Sequence, residues 1–140
     1  MIEQNKVITA RATEFWNAGD LALVDEIHAT NFVNHDPSRP DVTDLESYKL
    51  FIAEVRTSMP DYQVTAQDTI AEGDKVVTRW IGNGTHQGEY VGIPPTGQHA
   101  TLAGMTIYRF EAGKIAEAWW VYDSLGMMQQ LGIIPSLEAA

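Results

Sequence analysis

GMTIYRFEAGKIAEAWWVYDSLGMMQQLG, residues 104–132, is the stretch whose reading decides the fold. It holds two runs of strand-forming residues around Glu111-Ala112-Gly113, and the glycine in third place suits a type I turn closed by a left-handed bulge residue. That turn predicts that Phe110 pairs with Lys114. Side chains alternate across a strand, so Gly104, Thr106, Tyr108 and Phe110 would share a face with Ala116, Ala118, Trp120 and Tyr122. The other face would hold Met105, Ile107, Arg109, Ile115, Glu117, Trp119, Val121 and Asp123. A two-residue turn would instead put Thr106 beside Trp119. Large aromatics among small residues on one face are how a sheet builds a pocket wall, so the first register turns Trp120 inward.

Downstream, Ser124 to Leu131 reads as a short closing helix with Asp123 or Ser124 as its cap and Gly132 past its end. Upstream lie more strands. Tyr62, Val64, Ala66, Asp68 and Ile70 alternate, Glu72-Gly73-Asp74 is a turn, and Lys75 to His86 carries Val76, Val77, Trp80 and Ile81. Gly92 to Gly97, GIPPTG, is a loop at the sheet's rim, because Pro94 and Pro95 have no donors for a ladder.

The N-terminal half is helical. Val7, Ile8, Ala12, Phe15 and Trp16 recur at helical spacing up to Gly19, and Asp20 caps a second short helix through Leu23, Val24 and Ile27. Asn31 to Asn34 is a short extended run ending in His35-Asp36-Pro37. A third helix starts at Thr43, where Thr43-x-x-Glu46 has capping-box spacing, and Pro60 stops it. Helices first and antiparallel strands afterwards give an α+β fold, three helices gathered on one side of a curved sheet, in a single domain over 1–140.

Composition limits what such a fold would bind. With 140 residues, 44% hydrophobic and 20% charged, the chain is an ordinary globular domain. Its net charge of −10 argues against nucleic acid or an anionic membrane as partner. There is no cysteine, hence no thiolate chemistry, and the four histidines are scattered without metal-ligand spacing. Neither a metal nor a nucleotide cofactor is expected, since Gly82-x-Gly84 lacks the strand-to-helix setting of a phosphate loop. No apolar run of signal-peptide type opens the chain, so the expected address is cytoplasmic.

HDP at His35, G-T-H-x-G at Gly84, GIPPTG at Gly92, YRFEAGKI at Tyr108 and DSLGMMQQLG at Asp123 together resemble the SnoaL-like polyketide cyclases, within the nuclear-transport-factor-like α+β cone superfamily. The resemblance implies a cone-shaped sheet around a deep apolar cavity, a homo-oligomer, here a homodimer, packed through the sheet, and a cofactor-free aldol cyclisation of aromatic polyketide esters by an aspartate base. It places that aspartate at Trp120, the family's histidine two residues earlier at Ala118 and its pocket histidine on the preceding strand at Thr106. Asn34 and His86 match the family's asparagine and histidine.

Trp120 cannot abstract a proton, so replacement bases must come from elsewhere. His35 could act on a pocket ligand or fix the HDP turn, and His86 could reach the cavity mouth or orient the loop after it. Asp123 could serve as an acid or as a helix cap. Tyr108 and Tyr122 could donate to a carbonyl or enolate, or simply wall the cavity. Trp80, Trp120 and Tyr108 could form a stacking slot for a flat ligand, with Asn34 and Thr106 beside them. The expected partner is a small hydrophobic or aromatic metabolite. Two functions follow: an acid/base cyclase, isomerase or hydratase that has moved its base, or a binding module that has lost it. Epoxide hydrolysis would need inward carboxylates around an arginine, and Arg109 falls on the outer face.

Overall fold

Two consecutive left-handed residues, Ala112 at φ 52° and Gly113 at φ 77°, form the turn of the last hairpin. Positive φ at both central positions makes a two-residue turn whose twist matches that of the strands it joins. Glu111 therefore pairs with Lys114, and Phe110 with Ile115 rather than with Lys114 as the sequence predicts. Left alone, this register would set Thr106 beside Trp119. One extra residue corrects it. Between the pairs Phe110–Ile115 and Arg109–Glu117 the second strand carries a β-bulge at Ala116, and beyond it Tyr108 faces Ala118, Thr106 faces Trp120 and Gly104 faces Tyr122. The turn differs from expectation while the faces do not, except at Ile115, which the bulge buries completely beside Phe110.

The computed structural model describes residues 1–135, so the end of the expected 1–140 domain lies outside the described residues. In chain order the elements are α1 (Ile2–Ala18), α2 (Leu21–Ile27), β1 (His28–His35), α3 (Leu45–Ser58), β2 (Gln63–Glu72), β3 (Lys75–Thr85), β4 (His99–Glu111), β5 (Lys114–Tyr122) and α4 (Ser124–Gln130). The sheet runs β1-β5-β4-β3-β2, with β1 parallel to β5 and the other pairs antiparallel. The α+β class is as expected, but the sheet is open and mixed, with β1 and β2 as its two edges, so it is not a closed barrel.

Local chemistry accounts for most boundaries. Gly19 closes α1 in the left-handed region, and the Asp20 side chain caps α2 through the Leu23 N–H. The cap of α3 is Asp44, with Ser47 closing the box, one residue later than the Thr43/Glu46 pattern predicts. Asp44 wins because its carboxylate takes the Ser47 N–H while the Ser47 hydroxyl takes the Asp44 N–H. Val7 lies outward, and α1 buries Asn5, Thr9, Ala12, Phe15 and Trp16 instead. β4 starts at His99, ahead of Gly104, and pairs with β3 from His99 to Arg109.

The core lies between the helices and the inner face of the sheet. Phe15, Tyr48, Ile52, Phe32, Val24 and Val76 are fully or almost fully enclosed. His28, at the start of β1, is packed among them: its Nδ1–H donates to the Val24 carbonyl at 2.8 Å, and its ring meets Phe32 edge-on at 4.7 Å. Burial pushes its pKa down from 6.5 to about 4, so the ring is neutral.

Candidate functional site

The inner face of the sheet and the facing sides of α1 and α3 leave one apolar cavity, with about 830 Å³ of empty space counting its open mouth. Trp16, Phe51, Trp80, Tyr108, Trp120 and Tyr122 supply most of the rings in its wall. Trp120 stands in the middle of them. Its ring centroid lies 6.0 Å from Tyr108, 6.1 Å from Tyr48, 6.2 Å from Trp80 and 6.3 Å from Trp16, and it is 7% exposed. Edge-on contacts at these separations are among the arrangements aromatic pairs prefer.

Each indole in this wall spends its N–H inside the protein. Trp120 Nε1 donates to Asn34 Oδ1 at 2.7 Å, Trp80 Nε1 to Thr106 Oγ1 at 2.9 Å and Trp16 Nε1 to the Tyr48 hydroxyl at 3.3 Å. Asn34 is fixed in turn by donating from Nδ2 to the Val42 carbonyl. The hydroxyls of Thr9 and Ser58, which also line the cavity, donate to backbone carbonyls one turn back. What these groups offer a ligand is therefore ring surface and methyl groups. Gly104 adds room only for protein: a Cβ there would run into Trp80 and Tyr122, so the space its small size opens is filled by the Trp80 indole.

Four predicted binding residues, Trp80, Tyr108, Trp120 and Tyr122, line the cavity. Asn34 and Thr106 stand behind it and hold the indoles. The three catalytic candidates do not come to it. His35 follows Asn34 and so projects to the opposite face, where its Nε2–H donates to Glu117 at 2.6 Å and its ring stacks on Trp119 at 5.4 Å. His86 is 0% exposed, and its Nδ1 accepts the Thr96 N–H at 3.3 Å, which puts the ring proton on Nε2. It ties down the loop instead: its backbone N–H donates to Gln98 and its carbonyl accepts from Gly97. Asp123 is solvent-exposed and caps α4, accepting the Gly126 N–H at 2.9 Å. Arg109 lies on the outer face as expected, paired with Glu117 and Glu111.

A carboxyl outside the predicted set touches the cavity wall through Tyr122. Asp36 is 6% exposed; its Oδ2 accepts the Tyr122 hydroxyl proton at 2.7 Å and its Oδ1 accepts the Ser38 N–H at 2.9 Å. Burial pushes its pKa up, against the pull of these donors and of Arg39. Burial and the adjoining Asp36 charge push Tyr122 far above the usual phenol range, so Tyr122 keeps its proton. Alternation already pointed here, since Asp36 has the same parity as inward Asn34 and Phe32. Beside it, Arg39 pairs with Asp41 and Glu54 and reaches the Tyr90 hydroxyl at 3.3 Å, while its guanidinium sits 4.8 Å from the Phe51 ring centre. Tyr90, from the loop after β3, also lines the cavity. No sequence pattern marked it.

Among the described residues no group of three or more histidines, cysteines or carboxylates is placed to hold a metal ion, and no helix is long and apolar enough to cross a membrane.

The family profile of the SnoaL-like polyketide cyclases matches residues 6–131. The chain belongs to this family. Among solved structures similar to it are TsrD from Streptomyces laurentii, at 26% identity, covering 94% of this chain and 97% of that one with a TM-score of 0.85. IdmH, a proposed polyketide cyclase from Streptomyces antibioticus, is 33% identical over 92% of this chain and 99% of its own, with a TM-score of 0.80. AclR, a proposed hydroxylase from Streptomyces galilaeus, is 27% identical over 98% of this chain and 86% of its own, with a TM-score of 0.86. No curated protein sequence matches. A proposed cyclase and a proposed hydroxylase share this SnoaL-like architecture, so the reaction has to be argued from side chains.

Proposed function

We propose that this SnoaL-like protein encloses a small hydrophobic or aromatic metabolite, of polyketide-ester type, against the aromatic wall that includes Trp80, Tyr108 and Trp120. The observation that carries the proposal is the inward Trp120, ringed by four aromatics with its N–H spent on Asn34, in a wall that offers ring surface. Flat apolar ligands gain most from such a wall, through area removed from water and through offset stacking. Any reaction is a cofactor-free cyclisation or isomerisation in the manner of the family, with proton handling at the Tyr122–Asp36 end of the cavity and Trp120 standing where the resemblance puts the aspartate base. A second reading, binding without turnover, is favoured by one observation: among the described residues, no carboxylate or imidazole lines the cavity.

We further propose that the protein acts as a cytoplasmic homodimer. Val33, Met105, Ile107 and Val121 leave an apolar outer sheet face, with Val121 72% exposed, and this is the surface the family resemblance assigns to pairing.

Titration of flat aromatic esters against tryptophan fluorescence, with mass spectrometry of the mixture after incubation with β-keto esters, tests both readings. Saturable quenching with a cyclised product supports the enzyme; quenching with ester recovered intact supports the binding module. No quenching by any of them contradicts the cavity assignment.

A further inference from the structure

Two tyrosines of the cavity wall have their hydroxyls committed in opposite senses. A phenol has one proton to donate and lone pairs to accept with. Tyr122 gives its proton to Asp36 Oδ2 at 2.7 Å. Asp36 is held in place by the Ser38 N–H on its other oxygen, and the backbone between them is fixed by the Arg39 N–H on the Asp36 carbonyl. A hydrogen bond to a carboxylate is about twice as strong as one between neutral groups, so a ligand carbonyl cannot draw that proton away. Tyr122 is left with acceptor capacity alone. Tyr90 is the reverse case: Arg39 Nη1 donates to its oxygen at 3.3 Å, and its own O–H remains to be given. Both residues line the same cavity, whose wall also carries the hydroxyl-bearing Tyr62, Tyr108 and Thr78 among its rings and methyl groups.

We infer that Tyr122 and Tyr90 sort ligands by polarity, Tyr122 accepting from a free phenolic or enolic hydroxyl and Tyr90 donating to a carbonyl or ether oxygen. Asp36 acts through Tyr122 and is the positioning residue of the pair. The ligand class is thereby narrowed to flat aromatic or enolic compounds that carry an unblocked hydroxyl, in preference to their O-alkylated counterparts. The inference rests on the proposed use of the cavity for ligand binding.

Three probes of similar size separate the two: 2-naphthol, 2-methoxynaphthalene and 2-acetonaphthone, each titrated against tryptophan fluorescence. The intact protein should bind 2-naphthol about tenfold more tightly than its methyl ether, the value of one well-placed hydrogen bond. Tyr122→Phe should erase that advantage while leaving the ether's affinity unchanged, and Tyr90→Phe should weaken 2-acetonaphthone by a few-fold. Asp36→Asn gives an independent readout, because an amide can donate to Tyr122 and release its proton. The naphthol's advantage over the ether should then vanish, since both oxygens can accept. Equal affinity for naphthol and ether in the intact protein overturns the inference, as does a naphthol advantage that survives both Tyr122→Phe and Asp36→Asn. Tight binding without discrimination removes this inference and leaves the cavity reading standing; failure of the intact protein to bind any of the three brings down both.

Discussion

Trp119 and Trp120 are neighbours in the chain and belong to different parts of the molecule. Trp119 lies on the outer face, stacked on His35, which shares Glu117 with Arg109. Trp120 lies inside, in contact with four aromatic rings and bonded to Asn34. The same side chain thus walls a cavity in one case and covers a sheet face in the other. What assigns them is neither hydrophobicity nor size but a single extra residue, Ala116, which shifts the register by one and so exchanges the faces of everything after it.

The contrast is most easily broken by truncation. Trp120→Ala should cost about 3–5 kcal/mol in chemical denaturation, the range for deleting a buried aromatic, and should change which ligands bind. Trp119→Ala should cost much less and leave ligand preference alone. Comparable losses at the two positions would mean that the inside and outside have been misassigned.

Histidines extend the comparison to pH. His28 is buried and neutral, with a pKa of about 4 in the fold against 6.5 when unfolded. Between those values the unfolded chain binds more protons than the folded one, so stability rises with pH there. Stability present above pH 6.5 should be lost as pH falls toward 4, by about 3 kcal/mol in all. Denaturation midpoints across this window check it, with His28→Leu expected to flatten the dependence. A His28→Leu variant as acid-sensitive as the parent would assign the loss to other groups.

Most of the architecture was legible in the sequence, for reasons that can be named. Gly19 and Asp20 punctuate two helices because one tolerates a left-handed backbone and the other has an acceptor for a free N–H. The inward set Gly104, Thr106, Tyr108, Ala118, Trp120 and Tyr122 was read correctly from a turn that does not form, because the bulge at Ala116 restores the register that the two-residue turn removes. Turn type and bulge offset each other, and period-two alternation registers only their sum. The cavity-lining positions Trp80, Tyr108, Trp120 and Tyr122 are legible from strand alternation in the same way. The three catalytic candidates have the right chemistry and the wrong parity or setting: His35 is out of phase with Asn34, while Asp36 is in phase. Tyr90 sits in a loop, where no periodicity reports which way a side chain turns.

Smaller effects sharpen the picture. Asn34→Ala leaves the Trp120 N–H buried without its acceptor and should cost about 1–3 kcal/mol, visible as a lower denaturation midpoint and a shifted tryptophan emission. Glu117→Gln removes the acceptor shared by His35 and Arg109 on the outer face. Because that cluster is solvent-facing, the loss should stay under about 1 kcal/mol and shrink further in high salt. An Asn34→Ala variant as stable as Glu117→Gln would mean that the interior bond contributes no more than the surface one.

Fluorine NMR of protein labelled with 5-fluorotryptophan tests the central claim most directly, with the four resonances assigned by single substitution. Addition of a flat aromatic ligand should move the Trp120 and Trp80 signals and leave that of Trp119 in place. A ligand that moves Trp119 while Trp120 stays still would contradict the account.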